Sequence, residues 1–292
     1  MSPGAIDKAR ALSIWSGPVD PEPLGGGITN TNFVVADKGE KFVVRIGDDI
    51  PQHGIMRFNE LAASRAAHAA GISPQVVHFE PGVLVIRFVD GKTLEPADIR
   101  IPEMLERIVP LVKKVHREIP RHFAGAALVF WVFQVLRNYT RILQEEDSRK
   151  KGELAGLSAI AGELEEAVGP VHIVFGHNDL LAANFIDDGE RLWLIDWDYA
   201  GFNSPLFDLG GLASNNELDS AREHWLLEAY FGTPPDDGLM RRYSAMKCAS
   251  LLREAMWSMV SEIHSALDFD YVAYTDDNLE RFGRAHEAFK RI

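Results

Sequence analysis

The run His177-Asn178-Asp179-Leu180-Leu181-Ala182-Ala183-Asn184, followed by Leu194-Ile195-Asp196-Trp197-Asp198, constrains this chain more than any other segment. It sets an acid and an amide in one turn, and a second acid at the end of an apolar run. Turns favour Asn and Asp on their own account. The ordered set His-x-Asp-Leu-x-x-x-Asn, then an apolar strand closing on Asp, is too specific for turn chemistry alone. It calls for two short strands that flank a polar loop.

What surrounds that insert reads as helix. Apolar spacing predicts helices over roughly 102–118, 128–147, 153–168, 219–231, 237–265 and 271–290. The N-terminal part reads differently. A short amphipathic helix over 5–16 stops before Gly17-Pro18. A glycine loop, Leu24 to Asn32, leads into a hairpin whose strands 33–35 and 42–46 turn at Asp37-Lys38-Gly39-Glu40. An Ala-rich helix from Arg57 to Ala70 ends at Gly71. Strands over 76–80 and 83–88 follow, joined by Pro81-Gly82. The expectation is α+β: an N-terminal lobe, 1–88, of five strands and one main helix, then a mostly helical lobe, 89–292, with a hinge near 87–92.

A chain of 292 residues suits two lobes. Its 46% hydrophobic and 25% charged content is that of a soluble globular protein. The longest apolar candidate, Ala124–Phe133, is too short for a membrane span, and no signal-peptide zones appear. Cys248 stands alone, which excludes an internal disulfide and fits a reducing, cytoplasmic setting. We read it as a buried small hydrophobe. A net charge of −13 without any basic block argues against nucleic-acid or anionic-membrane partners. Such charge can steer a cationic substrate, although solubility alone would account for it. Oligomeric state is not legible.

Phosphoryl transfer needs an aligned hydroxyl and neutralised phosphate oxygens more than covalent chemistry. Asp179 is suited to accept the hydroxyl proton. Asn184 and Asp196 offer the hard oxygen ligands that Mg²⁺ takes beside water and phosphate. His177 is the wrong ligand type for Mg²⁺ and is expected to brace the loop. Asp198 is expected to be a structural hydrogen bonder in preference to a further ligand. A metallophosphatase would need more histidines at fixed spacings, and His224, His264 and His286 sit singly on predicted helices.

These motifs, with Ile195-Asp196-Trp197-Asp198-Tyr199-Ala200-Gly201 and Phe207-Asp208-Leu209-Gly210, resemble the choline/ethanolamine kinase family. That family is kin to the aminoglycoside phosphotransferases and shares the two-lobed protein-kinase-like fold. The resemblance runs from Gly25 to about Tyr274 and implies ATP as co-substrate with Mg²⁺. It places Gly26, Gly27, Thr29, Asn30 and Asn32 in a nucleotide loop whose N–H groups close on phosphates. Arg45 ends the strand where a kinase carries its basic residue for the α/β-phosphates, with Glu60 as its acidic partner. Phe88 lies in the hinge along which adenine would bind. Asp208 is expected to tie the catalytic loop to the next helix through backbone N–H groups.

The acceptor should be a small molecule. Asn178 stands where many protein kinases carry Arg, and the short span from Asp196 to Asp208 leaves little room for an activation loop. On the helix over 237–265, Glu254, Trp257 and Ser261 share one face, while Leu251, Leu252, Met256, Met259 and Ile263 mark a core face. Aromatics at helical spacing are more often core than ligand box. Yet Trp257, Phe269, Tyr271 and Tyr274 resemble the aromatics of a choline pocket, each good ring contributing on the order of 1 kcal/mol. Tyr199 would add a wall, and Trp225 is a weaker candidate. Glu254 replaces a further Trp of the animal choline kinases; Asn215, with Glu217 nearby, replaces an acid. Glu254 would supply negative charge and would also suit an ammonium with N–H groups. Choline is the expected acceptor. Ethanolamine, thiamine and aminoglycosides are the alternatives in the same superfamily, and a catalytically inactive ligand-binding protein is the alternative outside enzymes.

Overall fold

The computed structural model describes residues 4–25, 29–265, 267 and 269–292. Alternating apolar residues build the first sheet: strands β1 (Glu22–Leu24), β2 (Thr31–Asp37), β3 (Glu40–Ile46), β4 (Val76–Glu80) and β5 (Val83–Arg87). All neighbours pair antiparallel, in the order β1-β2-β3-β5-β4. Phe33, Val35, Val44 and Val85 are fully buried on one face, beneath Ala5 and Ala9 of helix α1 (Ala5–Arg10) and Leu12 after it. The expected helix over 5–16 therefore stops early. Ser13, Ser16, Gly17 and Pro18 favour turns, and the Trp15 indole folds back to donate to the Ala9 carbonyl at 2.8 Å.

Helix α2 (Arg57–Ala69) ends at Gly71, whose φ of 67° suits glycine. Its Ala63, Ala66 and Ala67 belong to the same core as Leu105, Ile108 and Val109, and it packs on the helix that carries them. Short α3 (Pro96–Ile99) precedes that helix, α4 (Pro102–His122), followed by α5 (Val132–Glu145) and α6 (Leu154–Val168). Short strands β6 (Lys92–Thr93), β7 (Val174–Gly176), β8 (Phe185–Asp187), β9 (Leu192–Leu194) and β10 (Gly201–Asn203) interrupt the helices. β7 pairs with β10, and β8 lies between β6 and β9, which holds loop 177–184 between two small sheets.

Helix α7 (Pro205–Asn215) falls between the expected helices. Gly210 and Gly211 lower its helix propensity and so hide it from the sequence. They also bring it against α9 (Asp237–His264): a Cβ on Gly210 would lie 3.0 Å from the Lys247 Cα. α8 (Ser220–Phe231) and α10 (Tyr271–Phe289) complete the chain. α9 is wrapped by α5, α6, α7 and α10. Nearly every residue from Tyr243 to Ser261 is buried, so the expected split into a lining face and a core face does not hold; the helix is core almost all round. Ile263, expected in the core, is exposed near its end. Among the described residues no helix is long and apolar enough to cross a membrane.

Candidate active site

Loop 177–184 is fastened at its root. Asn178 sits in the left-handed region at φ 65°, which Asn tolerates better than most side chains. Its amide nitrogen donates to the Tyr199 carbonyl at 2.9 Å, and its oxygen accepts from Asn203 at 3.1 Å. Asp208, in the first turn of α7, accepts the backbone N–H of His177 at 2.9 Å and of Asn178 at 2.7 Å. His116 Nε2 lies 2.9 Å from the same carboxylate, and His116 Nδ1 lies 2.6 Å from the Tyr230 hydroxyl. Burial works against the Asp208 charge, but the His116 contact and the backbone donors hold its pKa below the usual value. His177 Nε2 lies 3.0 Å from the Ile195 carbonyl, with its ring edge-on to Trp197 at 4.7 Å. His177 and Asp208 both bond within or across the root of this loop.

The three oxygen-bearing residues converge. The Asn184 amide donates to the Asp179 carbonyl at 2.9 Å, and the Ile195 N–H donates to the Asn184 carbonyl at 3.0 Å. Asp196, itself left-handed at φ 68°, receives Arg45 Nη2 on Oδ1 at 2.9 Å. Arg45 Nε lies 3.0 Å from Glu60, and Nη2 lies 3.1 Å from Asp198. Arg57, not foreseen, bridges Glu60 at 2.7 Å and Asp198 at 2.8 Å. Burial opposes the Arg45 charge, yet Asp196, Glu60 and Asp198 more than offset it, and the guanidinium stays charged. In the coupled pair of acids, burial raises both. Arg45 outweighs it for Asp196, which is held low, whereas the added charges of Asp196 and Glu60 push Asp198 up.

Thr29 Oγ1 donates to Asp198 at 2.8 Å, and Asn30 lies 3.3 Å from the same oxygen. Glu60 pairs with Arg45 as expected, while Thr29 and Asn30, expected as phosphate donors, bond Asp198 and are absent from the lining of the cleft between the lobes. That cleft holds about 280 Å³ between the lobes, walled by Val43, Ile86, Phe88, Ile186 and Ile195, with Asn32, Arg45, Asn184 and Asp196 at its polar end. The Phe88 N–H is bonded to the Lys41 carbonyl at 3.0 Å, so its amide proton is already committed. Gly26 and Gly27 lie outside the described residues.

The donor set fits Mg²⁺. Asn184 has committed its nitrogen to Asp179 and Asp196 one oxygen to Arg45, which leaves an amide oxygen and a carboxylate oxygen beside the cleft. Mg²⁺ is commonly held by one or two such groups together with substrate phosphates. No group of three or more His, Cys, Asp or Glu suited to a metal occurs among the described residues.

On the opposite side of the loop Asp179 is half-buried. Burial pushes its pKa up to about 8, with Glu254, Asp196 and Asp198 adding to the rise and Arg253 opposing it. The expected acceptor residues form one connected chain. Trp257 Nε1 donates to the Tyr199 hydroxyl at 2.8 Å, Trp257 meets Tyr271 at 6.1 Å, and Phe269 meets Tyr271 at 4.9 Å and Tyr274 at 5.5 Å. The Tyr274 hydroxyl donates to Glu254 at 2.8 Å. Their faces are not open, however. Trp257 and Tyr271 are 4% and 6% exposed, and His53 covers Trp257 at 5.1 Å; only Phe269 and Tyr274 present aromatic surface. Glu217 points to solvent near Arg100, and Trp225 stands exposed on α8.

The choline/ethanolamine kinase family model matches residues 22–225, well over half of the chain. The chain belongs to the choline/ethanolamine kinase family. A probable ethanolamine kinase of Arabidopsis thaliana is 28% identical over 287 residues, covering 87% of this chain and 76% of the relative. A choline/ethanolamine kinase family protein from Mesorhizobium loti superposes with a TM-score of 0.76 at 29% identity, covering 98% and 96% of the two chains. The choline kinase LicA from Streptococcus pneumoniae, at 22% identity, shares the fold with a TM-score of 0.76 over 91% and 94%. This choline/ethanolamine kinase family member is therefore a small-molecule kinase, a phosphotransferase of small alcohols with the protein-kinase-like fold.

Several residues of this family member's site escaped the sequence. Arg57 and Arg253 each sit beside a residue that was singled out, or one turn from it, on helices read for their apolar spacing. His53, His116 and Tyr230 are lone polar residues with no motif around them. Only their burial beside charged neighbours reveals them.

Proposed function

We propose that this protein transfers the γ-phosphoryl group of ATP, with Mg²⁺, to the hydroxyl of a small cationic amino alcohol. The observation that carries the reading is the convergence of Asp179, Asn184 and Asp196 on one loop-and-strand junction, with Arg45 at the polar end of the cleft and Glu254 on the acceptor side. The lobes that form the cleft would meet near 87–92. Mg²⁺ held by Asn184 and Asp196 would neutralise charge on the β- and γ-phosphate oxygens. Arg45 would grip phosphate through its planar fork. Asp179 aligns the acceptor hydroxyl and takes its proton as the new oxygen–phosphorus bond forms and the bond to the β-phosphate oxygen breaks, with ADP leaving. A raised pKa suits this role, because a cationic acceptor beside Asp179 and Glu254 would lower it again.

Acceptor-dependent ADP release tests the reading, with choline, ethanolamine, thiamine and an aminoglycoside offered in turn. Turnover of an amino alcohol and none of the aminoglycoside is expected. Release driven only by the aminoglycoside, or by none of the four, would sink the acceptor class.

A further inference from the structure

Of the aromatic wall expected for a quaternary ammonium, the Tyr199 face is occupied by the chain itself, while Phe269 and Tyr274 keep exposed surface. Arg253 is 4% exposed, and its guanidinium carbon lies 4.2 Å from the centroid of the Tyr199 ring and 5.7 Å from that of Phe130. That is the geometry of a bound cation on its aromatic wall. Nη1 is fixed to Glu254 at 2.9 Å, and burial of the guanidinium is outweighed by the surrounding tyrosines, Glu254 and Asp179, so the charge persists. Trp257, the other large ring of the expected box, is sealed by His53 and bonded to Tyr199.

Between Asp179 and Arg253 lies a small recess with a largely polar lining. It holds about 10 Å³ and is lined by Asp179, Asn215, Ser250, Arg253 and Glu254. That is room for about one water-sized group. A primary ammonium has this size and carries three N–H donors for the carboxylate, hydroxyl and amide oxygens there. A trimethylammonium group is several times larger and has no N–H to give. With Asp179 ionised beside a bound cation, Asp179 and Glu254 against Arg253 leave one formal negative charge, which suits a single ammonium.

We infer that Arg253 is a specificity-determining residue: by occupying the Tyr199 face and pairing with Glu254, it sets the acceptor pocket for a primary ammonium and turns away a quaternary one. The inference rests on the amino-alcohol reading above and moves the expectation from choline toward the unmethylated end of the series.

The test is kcat/KM by ADP release along the series ethanolamine, its N-methyl and N,N-dimethyl derivatives, and choline. Wild type, Arg253→Ala and Glu254→Gln are compared, with nucleotide binding and thermal melting as checks on folding. Wild type should decline along the series, with choline at least about tenfold below ethanolamine. Arg253→Ala opens the Tyr199 face and should narrow or reverse that ratio even where the overall rate falls. A residue that only supports the fold would lower all four acceptors alike. Glu254→Gln should lose about tenfold on ethanolamine and much less on choline. Choline used as well as ethanolamine by wild type overturns the inference alone, whether or not Arg253→Ala folds; so does an unmoved ratio in a folded variant. If none of the four is phosphorylated, the amino-alcohol reading falls as well.

Discussion

His53 provides a quantitative test of how the acceptor side is built. It is 7% exposed, with Nδ1 3.2 Å from the Tyr139 hydroxyl and Nε2 3.1 Å from Ser261 Oγ, and its ring lies against Trp257. Burial, then the charges of Arg253 and His264, push its pKa from 6.5 down to about 3. The folded value lies below the unfolded one, so between the two the unfolded chain binds more protons. Stability from this group is full above about pH 6.5 and is lost as pH falls toward about 3. Going from about pH 7.5 to about pH 5.5, linkage gives a loss of about 1.4 kcal/mol from His53 alone. His53→Gln preserves a hydrogen-bonding side chain and does not titrate. Urea unfolding followed by tryptophan fluorescence at both pH values should show a pH-dependent loss in wild type that exceeds the variant's by about that amount. Equal losses in the two proteins would refute the assignment of a neutral, buried imidazole under Trp257.

Asp179→Asn should lower kcat by about 10²–10⁴ with nucleotide affinity unchanged, read by ADP release and nucleotide titration. Glu60→Gln removes the carboxylate that Arg45 and Arg57 share and should cost about 3–5 kcal/mol in urea unfolding, with a raised KM for ATP. Chelation of divalent ions should stop ADP release and added Mg²⁺ should restore it, with Asn184→Ala shifting the Mg²⁺ requirement upward.

Much of the architecture was legible because its periods are clean. The hairpin across Phe33–Ile46 alternates, and α2, α4 and α6 repeat every three to four residues with Gly or Pro at their ends. The loop and its following strand could be read from chemistry, since few other folds place Asp179, Asn184 and Asp196 in that order. Side-chain direction was less accessible. Helical spacing puts Glu254, Trp257 and Ser261 on one face, but it does not say whether that face meets a ligand or another helix. Here Ser261 meets His53, a residue more than two hundred positions away, and Trp257 is sealed with it. The same limit applies at the glycine turn. Thr29 and Asn30 look like phosphate donors from local sequence alone, yet Asp198 accepts from both through pairing that only the closed fold creates.

Charge links the two sides of the cleft. Glu60, Asp196 and Asp198 face Arg45 and Arg57, an excess of one formal negative charge at the polar end of the cleft between the lobes. Asp179 and Glu254 face Arg253, a formal excess of one on the other side of the loop. On the proposed reading, the first excess would suit a divalent cation shared with phosphate and the second a monovalent ammonium. Neutralising Arg253 would double the acceptor-side excess and lift the Asp179 pKa further from its already raised position. On that reading, one guanidinium covers the Tyr199 face and, by opposing the rise in the Asp179 pKa, keeps that carboxyl within reach of ionisation. That coupling explains why opening the pocket to larger ammonium groups should slow every acceptor even as it levels the preference among them.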